Sequence, residues 1–359
     1  MRHAMIMAGG SGTRLWPMSR QAVPKQLLRF VEGRSLLSIA ADRIRTLVPE
    51  ANRYVCAGEA YRALIRADIP WIDDAHVLGE PVGRDTVNAV AFGAAITARR
   101  DPDAVFAVLT SDHLIAPQAE FERAMDLGFR LVEADPSRLV TFAITPTFPA
   151  TGFGYVERGD PVPGFDGAFR AKRFVEKPDR ARAEEYLASG GFGWNSGMFV
   201  FSARTVLDAL ERFKPETAAG MREIAAAWGT PNARVTVERV YPTLPKISVD
   251  YALMEPASKD RELSVCVVPM SVEWRDVGSW PSYAETLAPD ADGNRTNAHA
   301  VHVDSRRVAA LSDDPTHVIA TIGLADVIVV RTKDATLVVR ADLAEKVKDV
   351  AGLVPPELR

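Results

Sequence analysis

The residues best suited to phosphate chemistry lie near the start of the chain. An apolar run at residues 3–8 leads into a stretch that reads Ala-Gly-Gly-Ser-Gly-Thr-Arg-Leu-Trp-Pro over residues 8–17. Glycines permit positive φ angles and let backbone N–H groups converge on phosphate oxygens. Arg14 and Lys25 add cations that can neutralise a triphosphate. The predicted phosphate-binding residues of this loop are Gly9, Gly10, Ser11, Gly12 and Thr13.

Two familiar phosphate loops do not match this stretch. It lacks the Gly-Lys-Ser/Thr of a Walker A loop, and its partial Gly-x-Gly-x-x-Leu at residues 10–15 lacks the third glycine of the dinucleotide fingerprint. An ordinary turn is the alternative for a glycine-rich segment that follows a strand. The basic residues that come next, including Lys25 in Pro-Lys-Gln, favour phosphate binding over a plain turn.

Two aspartates are candidates for holding a metal ion. Asp112 follows the apolar run 104–110 and Ser111, and Asp276 follows a second apolar run. In α/β sheets the ligand lies beyond the carboxyl ends of the strands, and Mg²⁺ in nucleotide enzymes takes one or two carboxylates with phosphates and water. The alternative is that each aspartate caps a loop or helix. We expect Mg²⁺ at Asp112 and Asp276, with Ser111 beside the nucleotide.

Four more segments combine tight turns with polar side chains that can reach a ligand. Glu176 and Asn195 have the acceptor and donor atoms that sugar hydroxyls need, and Lys177 suits a sugar-borne phosphate. Taken singly, each segment also fits an ordinary salt bridge or turn. The segments are 80–85 with Glu80, Arg84 and Asp85, 151–155 with Gly154, 175–178 with Glu176 and Lys177, and 194–198 with Asn195.

Composition argues against several classes of protein. The 359 residues are 47% apolar and 25% charged with a net charge of −4, a globular balance that gives no electrostatic case for binding nucleic acid. Cys56 and Cys266 lie in separate apolar runs, so we expect buried thiols. His299 and His302, three apart in a β pattern, face opposite ways and make no metal site. No segment has the ~18 apolar residues of a membrane span. Without a signal-peptide core, we expect a cytoplasmic protein.

The elements that position these residues alternate between strand and helix. Apolar runs at 53–58, 104–110 and 139–144 are separated by helical patterns at 35–48, 86–100 and 121–134, which predicts a mostly parallel sheet covered by helices. A polar, turn-rich stretch at 289–297 marks a predicted boundary. We therefore expect a Rossmann-like α/β domain over 1–288 and a small β-rich module over 289–359, closed by a helix and able to serve as a dimerisation surface.

The motifs together resemble the sugar-1-phosphate nucleotidyltransferases, most closely the mannose-1-phosphate guanylyltransferases. They occur in the family's order over roughly residues 4 to 280, and the Leu-Trp-Pro and Trp-Asn-Ser-Gly pieces favour the mannose branch. The segments that carry the resemblance are AGGSGTRLWPMSR with PKQ, then EPVGRDT, LTSDH, TGFGYVE, VEKPD, WNSGMFVF and WRDVGSW.

This resemblance implies a Mg²⁺-dependent enzyme that joins GTP and mannose 1-phosphate into GDP-mannose and diphosphate. By analogy Arg14 and Lys25 hold the triphosphate, and Asp112 and Asp276 bind the metal. Glu176 and Asn195 would bind the sugar, with Lys177 beside its phosphate. The family usually shows Arg-Asn-Thr-Ala-Pro-Ala where this chain has Arg-Asp-Thr-Val-Asn-Ala at residues 84–89.

The difference from the family pattern at residues 84–89 concerns recognition of the nucleotide base. Guanine presents two N–H donors on one edge, and a carboxylate such as Asp85 or Glu80 can accept both. The hypothesis is that Asp85 or Glu80 accepts hydrogen bonds from this edge of guanine. The alternatives are the same chemistry on another hexose 1-phosphate or nucleotide, a non-catalytic regulatory subunit that binds nucleotide sugar, and a glycosyltransferase. Glycosyltransferases often carry a paired Asp-x-Asp, and this chain has Ser-Asp-His at residues 111–113 instead.

Overall fold

A computed structural model describes residues 1–10, 12–31 and 33–359 of the chain. The predicted phosphate-loop residue Ser11 lies outside this described part. The described residues group into two compact units whose segments alternate along the sequence. The first unit contains residues 1–9, 38–111 and 115–274, and the second contains 10–37, 112–114 and 275–359. The glycine-rich segment and Asp112 group with the C-terminal residues and not with the first unit. The single domain boundary at residue 289 stays a prediction.

The strands are numbered along the chain. They are β1 Arg2–Met7, β2 Arg53–Gly58, β3 Val77–Glu80, β4 Val105–Thr110, β5 His113–Ala116, β6 Arg138–Ile144, β7 Tyr155–Pro161, β8 Phe169–Val175, β9 Phe192–Ser202, β10 Ser264–Met270, β11 Glu273–Asp276, β12 Arg295–Thr296, β13 His299–Val303, β14 Ala309–Ser312, β15 Val318–Ile322, β16 Val327–Arg331 and β17 Thr336–Arg340.

The α-helices are numbered in the same way. They are α1 Leu36–Arg43, α2 Arg62–Asp68, α3 Thr86–Arg100, α4 Gln118–Ala134, α5 Arg180–Ser189, α6 Ala203–Phe213, α7 Pro215–Ala227, α8 Ala233–Val240, α9 Glu255–Ala257, α10 Trp280–Ala284 and α11 Val347–Leu353.

The first unit is built on a sheet that has, within the described residues, nine strands in the order β3-β2-β1-β4-β9-β6-β10-β8-β7. The pairings make β8 and β9 run against the other seven, so the predicted mostly parallel sheet is confirmed. Helix α3 packs on it so closely that a Cβ at Gly93 would lie 2.6 Å from the Met5 sulfur. The apolar residues of α3, α6, α7 and α8 form a core with the strand residues that they cover.

Two predicted elements differ from the structure. The helical pattern at 35–48 gives a helix only to Arg43, and residues 44–48 form hydrogen-bonded turns. The predicted tight turn at 194–198 is instead continuous strand within β9, so Asn195 lies on a strand of the main sheet. Gly197, with φ of 69°, lets that strand continue past a register shift against β6.

The second unit contains the predicted β-rich module. Strands β12, β14, β16 and β17 form one sheet and β13 and β15 a second, and all pairs except β16–β17 are parallel. Consecutive strands therefore alternate between two sheets, like the coils of a β-helix. Their inward apolar residues share a core with Leu15, Trp16, Trp280 and helix α11. Helix α11 is the predicted closing helix.

Burial and hydrophobicity agree with the remaining expectations. Cys56 and Cys266 are free, buried thiols, as predicted. Burial raises the pKa of both thiols above the ordinary value, which keeps them protonated and inert. In the described part of the chain, no helix is both long and apolar enough to cross a membrane.

Candidate active site

The glycine-rich segment is shaped by close packing against the residues that follow it. Gly10 and Gly12 have φ of 101° and 62°, angles that favour glycine. A Cβ at Gly12 would lie 2.6 Å from both the Lys25 Cβ and the Ser19 Oγ. Any larger residue at this position would displace Lys25. The glycine pattern therefore fixes the place of a cation as well as the path of the backbone.

Lys25 forms an ion pair with Asp112, and both side chains are largely buried. The backbone N–H of Val277 donates to the Asp112 carbonyl oxygen at 3.0 Å, which brings the end of β11 beside Asp112. As a result, ligand atoms of Asp112, His113 and Asp276 all lie within 4.8 Å of one another. Burial acts to raise the pKa of Asp112, but the charges of Lys25 and His113 hold it below its ordinary value. Asp112 is thus an anion ready to face a cation.

Asp276 has the features of a metal ligand. Its Oδ1 is buried and has no hydrogen-bond partner among the residues that the structure describes. A buried carboxylate oxygen without a partner is costly unless a ligand satisfies it. A Cβ at Gly278 would lie 3.2 Å from both Asp276 Oδ1 and Arg14 Nη2, so the glycine leaves the space that both groups border. The two carboxylates fit a divalent cation that prefers oxygen ligands.

Arg14 is held from the C-terminal end of the chain. Its Nη1 lies 2.9 and 3.3 Å from the two carboxylate oxygens of Glu345. The neighbouring Trp16 donates its indole N–H to the Leu358 carbonyl oxygen at 2.8 Å, and its own carbonyl oxygen accepts from the Trp280 indole at 2.8 Å. We call Arg14, Lys25, Asp112, His113 and Asp276 the loop cluster. All of its members belong to the second unit.

A separate cluster lies at the ends of β7, β8 and β9. Glu176 is buried, and its Oε1 accepts a hydrogen bond from Lys177 Nζ at 2.7 Å, which raises the pKa of Lys177. A Cβ at Gly154 would lie 2.5 Å from Glu176 Oε2 and 3.6 Å from Asn195 Nδ2. Gly154 therefore makes room for the carboxylate and the amide to converge.

Asn195 connects this cluster to Asp250. Its Nδ2 donates to Asp250 Oδ1 at 2.9 Å, and its Oδ1 accepts from Thr141 Oγ1 at 2.8 Å. We call Gly154, Glu176, Lys177, Asn195 and Asp250 the strand cluster; all belong to the first unit. Asp250 was not predicted from the sequence, because its segment, Ser-Val-Asp-Tyr, has no glycine turn or strand end to mark it.

A third group surrounds the edge strand β3. Glu80 is buried and accepts from the Tyr241 hydroxyl at 2.6 Å; burial raises the pKa of Glu80 while this bond opposes the rise. Arg84 donates to the Pro242 carbonyl oxygen. Asp85 is exposed, has φ of 64°, and uses Oδ1 to accept from Thr86 N at 2.8 Å at the start of α3. We call Glu80, Arg84, Asp85 and Tyr241 the edge group.

The structure thus divides the predicted site residues. Arg14, Lys25, Asp112 and Asp276 come together, as do Gly154, Glu176, Lys177 and Asn195. Gly9 belongs with the edge group, since a Cβ there would lie 3.9 Å from Glu80 Oε2. The predicted nucleotide-binding residues Gly10, Gly12 and Thr13 lie along the glycine-rich loop. Ser111 is buried, and its backbone N–H donates to the Met7 carbonyl oxygen at 3.2 Å.

His113 and Tyr241 were not predicted as site residues. His113 stands next to Asp112 in the sequence, but only folding places its ring beside Asp276. Tyr241 follows helix α8 and reaches Glu80 across a long stretch of sequence. Neither position has a local pattern that distinguishes it from an ordinary core residue.

Comparison with protein families settles the class of the molecule. The family model described as nucleotidyl transferase matches residues 3–293, and the model described as the mannose-phosphate isomerase/GMP-like beta-helix domain matches 298–352. The chain belongs to the nucleotidyl transferase family. The predicted resemblance, the Rossmann-like fold with a β-rich C-terminal part, and the enzyme class are therefore confirmed.

Curated relatives match almost the whole nucleotidyltransferase chain. A mannose-1-phosphate guanylyltransferase of Klebsiella pneumoniae is 37% identical over 350 residues, which is 96% of this chain and 72% of that protein. The xanthan biosynthesis protein XanB of Xanthomonas campestris pv. campestris strain B100 is 37% identical over 98% of this chain and 72% of its own length.

Among solved structures, a Thermus thermophilus protein described as a mannose-1-phosphate geranyltransferase superposes with a TM-score of 0.85. It is 31% identical, and the match covers 98% of both chains. A UDP-glucose pyrophosphorylase complexed with UDP-glucose is 15% identical, with a TM-score of 0.50 over 79% of this chain and 96% of that chain, and shares the fold alone. Similarity to the first structure therefore extends over both units.

Proposed function

We propose that this nucleotidyltransferase is a mannose-1-phosphate guanylyltransferase, which converts GTP and α-D-mannose 1-phosphate to GDP-mannose and diphosphate. The observation that carries the proposal is the loop cluster, which joins two carboxylates and two cations beside a glycine-rich loop. Relatives named mannose-1-phosphate guanylyltransferase, similar over nearly the full chain, support the choice of substrates.

The proposed reaction needs no protein nucleophile. A phosphate oxygen of mannose 1-phosphate forms a bond to the α-phosphorus of GTP. The bond from the α-phosphorus to the bridging oxygen of the β-phosphate breaks in line, and diphosphate leaves with that electron pair. Both reactants are anions, so catalysis consists of aligning them and screening their charge. Arg14 and Lys25 supply this screening. Lys25 would exchange its ion pair with Asp112 for one with a phosphate oxygen.

Asp112 and Asp276 would hold a divalent cation, which we propose is Mg²⁺. When bound, such an ion polarises phosphoryl oxygens and offsets charge on the leaving diphosphate. Asp276 contributes the buried oxygen that lacks a partner in the described residues, and Asp112 contributes a carboxylate kept ionised by its neighbours. His113 lies beside Asp112, with its Nε2 3.8 Å from Asp112 Oδ1, but it is not a preferred ligand because Mg²⁺ favours oxygen.

The strand cluster would hold the acceptor sugar. Glu176 Oε2 accepts from sugar hydroxyls, Asn195 donates to one, and Lys177 neutralises the sugar phosphate. The positive φ of Lys177, 43°, is an uncommon backbone state for a lysine and is consistent with a constrained binding turn.

The edge group would read the base. Asp85 is exposed and keeps one carboxylate oxygen beyond its helix-capping bond, whereas Glu80 is buried and already accepts from Tyr241. We therefore propose that Asp85 accepts from the guanine N–H groups and that Glu80 positions Tyr241. In a comparison of Asp85→Asn with Glu80→Gln, only the first should reduce the preference for GTP over ATP. An unchanged preference in Asp85→Asn removes it from base recognition.

We also propose a cytoplasmic enzyme that acts as a homodimer. The outward face of β13 and β15 carries Val301, Val303, Val318 and Ile322, all exposed, and exposed apolar surface of this kind favours association. Light scattering of the purified chain tests this part independently of activity. A monomer at micromolar concentration contradicts it.

The experiment that tests the proposed function is diphosphate release with Mg²⁺ across four nucleoside triphosphates and several hexose 1-phosphates. Activity concentrated at GTP with mannose 1-phosphate supports the proposal. Activity at another pair keeps the chemistry and overturns the substrates. Complete inactivity, with GDP-mannose still bound, indicates a regulatory subunit instead.

A further inference from the structure

Asp250 has the position of a site residue without a role in the chemistry described so far. It begins a single π-type turn over Asp250–Met254, and turns of this kind are frequent at functional sites. The residue is partly exposed as a whole, but its carboxyl group is largely desolvated by the surrounding protein, and it accepts a hydrogen bond from one protein partner. That partner is Asn195, at 2.9 Å.

The hydrogen bonds of Asn195 fix the direction in which its amide points. The Gly197 N–H donates to Oδ1 at 3.3 Å, and the Thr141 hydroxyl donates to the same oxygen at 2.8 Å. Because a backbone N–H can only donate and a carboxylate can only accept, Gly197 and Asp250 specify the same orientation independently. One N–H of the Asn195 amide donates to Asp250, and the second has no partner among the residues that the structure describes.

The free N–H lies near a strong acceptor. A Cβ at Gly154 would lie 2.5 Å from Glu176 Oε2 and 3.6 Å from Asn195 Nδ2, so these two atoms are at most about 6 Å apart. One donor and one acceptor this close match two adjacent hydroxyls of a pyranose, of which one accepts and the other donates. Neither group would recognise a vicinal pair alone.

The electrostatics agree with this geometry. Burial and the neighbouring Glu176 raise the pKa of Asp250 to about 7, while Lys177 and the bond from Asn195 oppose the rise. Two carboxyl groups thus share a small volume with one lysine. Two carboxyl groups that repel each other in a desolvated place lower the stability of the fold, so the pair of Glu176 and Asp250 points to a functional role.

We propose that Asp250 is a positioning residue of the sugar subsite: it holds the Asn195 amide so that its second N–H and the Glu176 carboxylate together recognise two vicinal hydroxyls of the acceptor. This inference rests on the proposed function. It assigns to Asp250 the selection of the sugar and no part in the transfer of the nucleotidyl group.

Two variants separate the hydrogen bond from the rest of the side chain. Asp250→Ala removes the acceptor and frees the amide, so the KM for mannose 1-phosphate should rise about tenfold while kcat and the KM for GTP change less than about twofold. Asp250→Asn keeps an acceptor oxygen for Asn195 and should restore that KM to within about threefold of wild type. Glu255→Gln is the matched control, since Glu255 follows the same turn and pairs with Lys259 instead.

Deoxy analogues of mannose 1-phosphate provide a measurement that a purely structural role would not affect. In the wild type, removal of a recognised hydroxyl should lower kcat/KM by about tenfold or more. In Asp250→Ala the same analogue should lower kcat/KM by much less, because the N–H that donates to the hydroxyl is no longer held in place. Asp250→Asn should retain the penalty. Thr141→Val removes the other side-chain hydrogen bond that holds the Asn195 amide and should also reduce the penalty, so it replaces the alanine variant if that variant does not fold.

The outcomes are distinguishable from failure of the proposed function. An active wild type whose deoxy penalties are the same in Asp250→Ala overturns the inference alone. So does a rise in both KM values in parallel, or an Asp250→Asn variant as impaired as the alanine. A wild type that does not use mannose 1-phosphate overturns the proposed function and this inference together.

Discussion

The loop cluster and the strand cluster achieve recognition in opposite ways. The loop cluster joins three separate chain segments, and three of its charged side chains form ion pairs: Lys25 with Asp112, and Arg14 with Glu345. The strand cluster is anchored on β9, and its central amide already uses three of its hydrogen-bonding positions within the protein. The loop cluster is dominated by ions that must change partners, whereas the Asn195 amide of the strand cluster presents a fixed pattern of donors and acceptors.

This difference follows from the chemistry of the two ligands. A triphosphate and its metal bring several charges, and internal ion pairs compensate the cluster until those charges arrive. A sugar brings hydroxyls, whose recognition depends on direction and therefore on groups that do not move. We expect changes in the loop cluster to affect turnover and changes in the strand cluster to affect binding of the acceptor.

The largest effect is expected for Asp276→Asn. Loss of the carboxylate charge would remove a proposed metal ligand, and kcat should fall by about 10²–10³-fold or more while GTP binding weakens by less. Steady-state kinetics together with calorimetry of GTP binding measure the two quantities. Asp349→Asn, an exposed acid of helix α11, is the control. Parallel losses in turnover and binding would show that Asp276 is structural.

A matched pair of glycine substitutions gives the sharpest test of the comparison. A Cβ in Gly278→Ala would be 3.2 Å from both Arg14 and Asp276, whereas one in Gly154→Ala would be 2.5 Å from Glu176. The first should lower kcat, and the second should raise the KM for mannose 1-phosphate, each by about tenfold or more. If both variants change the same kinetic constant, the proposed division between the clusters is wrong.

Stability should depend on pH through Asp250. Its pKa in the folded protein is about 7, above the ordinary value of 3.8, so the folded state binds the proton more tightly than the unfolded state. The resulting stabilisation is fully present below the ordinary pKa and is lost as pH rises through about 7. Urea unfolding of wild type and Asp250→Asn from pH 4 to 8 measures the difference. A difference that does not change with pH contradicts the shift.

The smallest effect is expected for Glu345→Gln. This ion pair with Arg14 is solvent-exposed, and such pairs contribute ~1 kcal/mol or less. The melting temperature should hardly change, and the KM for GTP should shift by less than about threefold because Arg14 loses only a competing partner. A large loss of turnover would instead mean that Glu345 aims Arg14 at the phosphates.

Much of the fold and part of the site followed from the sequence. Helix α3 coincides with the predicted 86–100, and β2 with the predicted 53–58, because strong periodicity and clear caps define them locally. The glycine-rich loop, Asp112 and Glu176 were chosen as site candidates from residue types and from the family resemblance, and their roles stay predictions. The extended strand at Asn195 was missed, because the local Asn-Ser-Gly favours a turn and pairing with β6 and β7 overrides it.

The sequence by itself determined which residues carry charge, which segments alternate as strand and helix, and in what order the motifs occur. Only the tertiary structure decided which carboxylates meet. Asp276 reaches Asp112 because a backbone hydrogen bond from Val277 joins segments far apart in the chain. Asp250 has a pKa of about 7 because folding buries it beside Glu176. Such contacts depend on long-range packing and desolvation, and neither leaves a local pattern in the sequence.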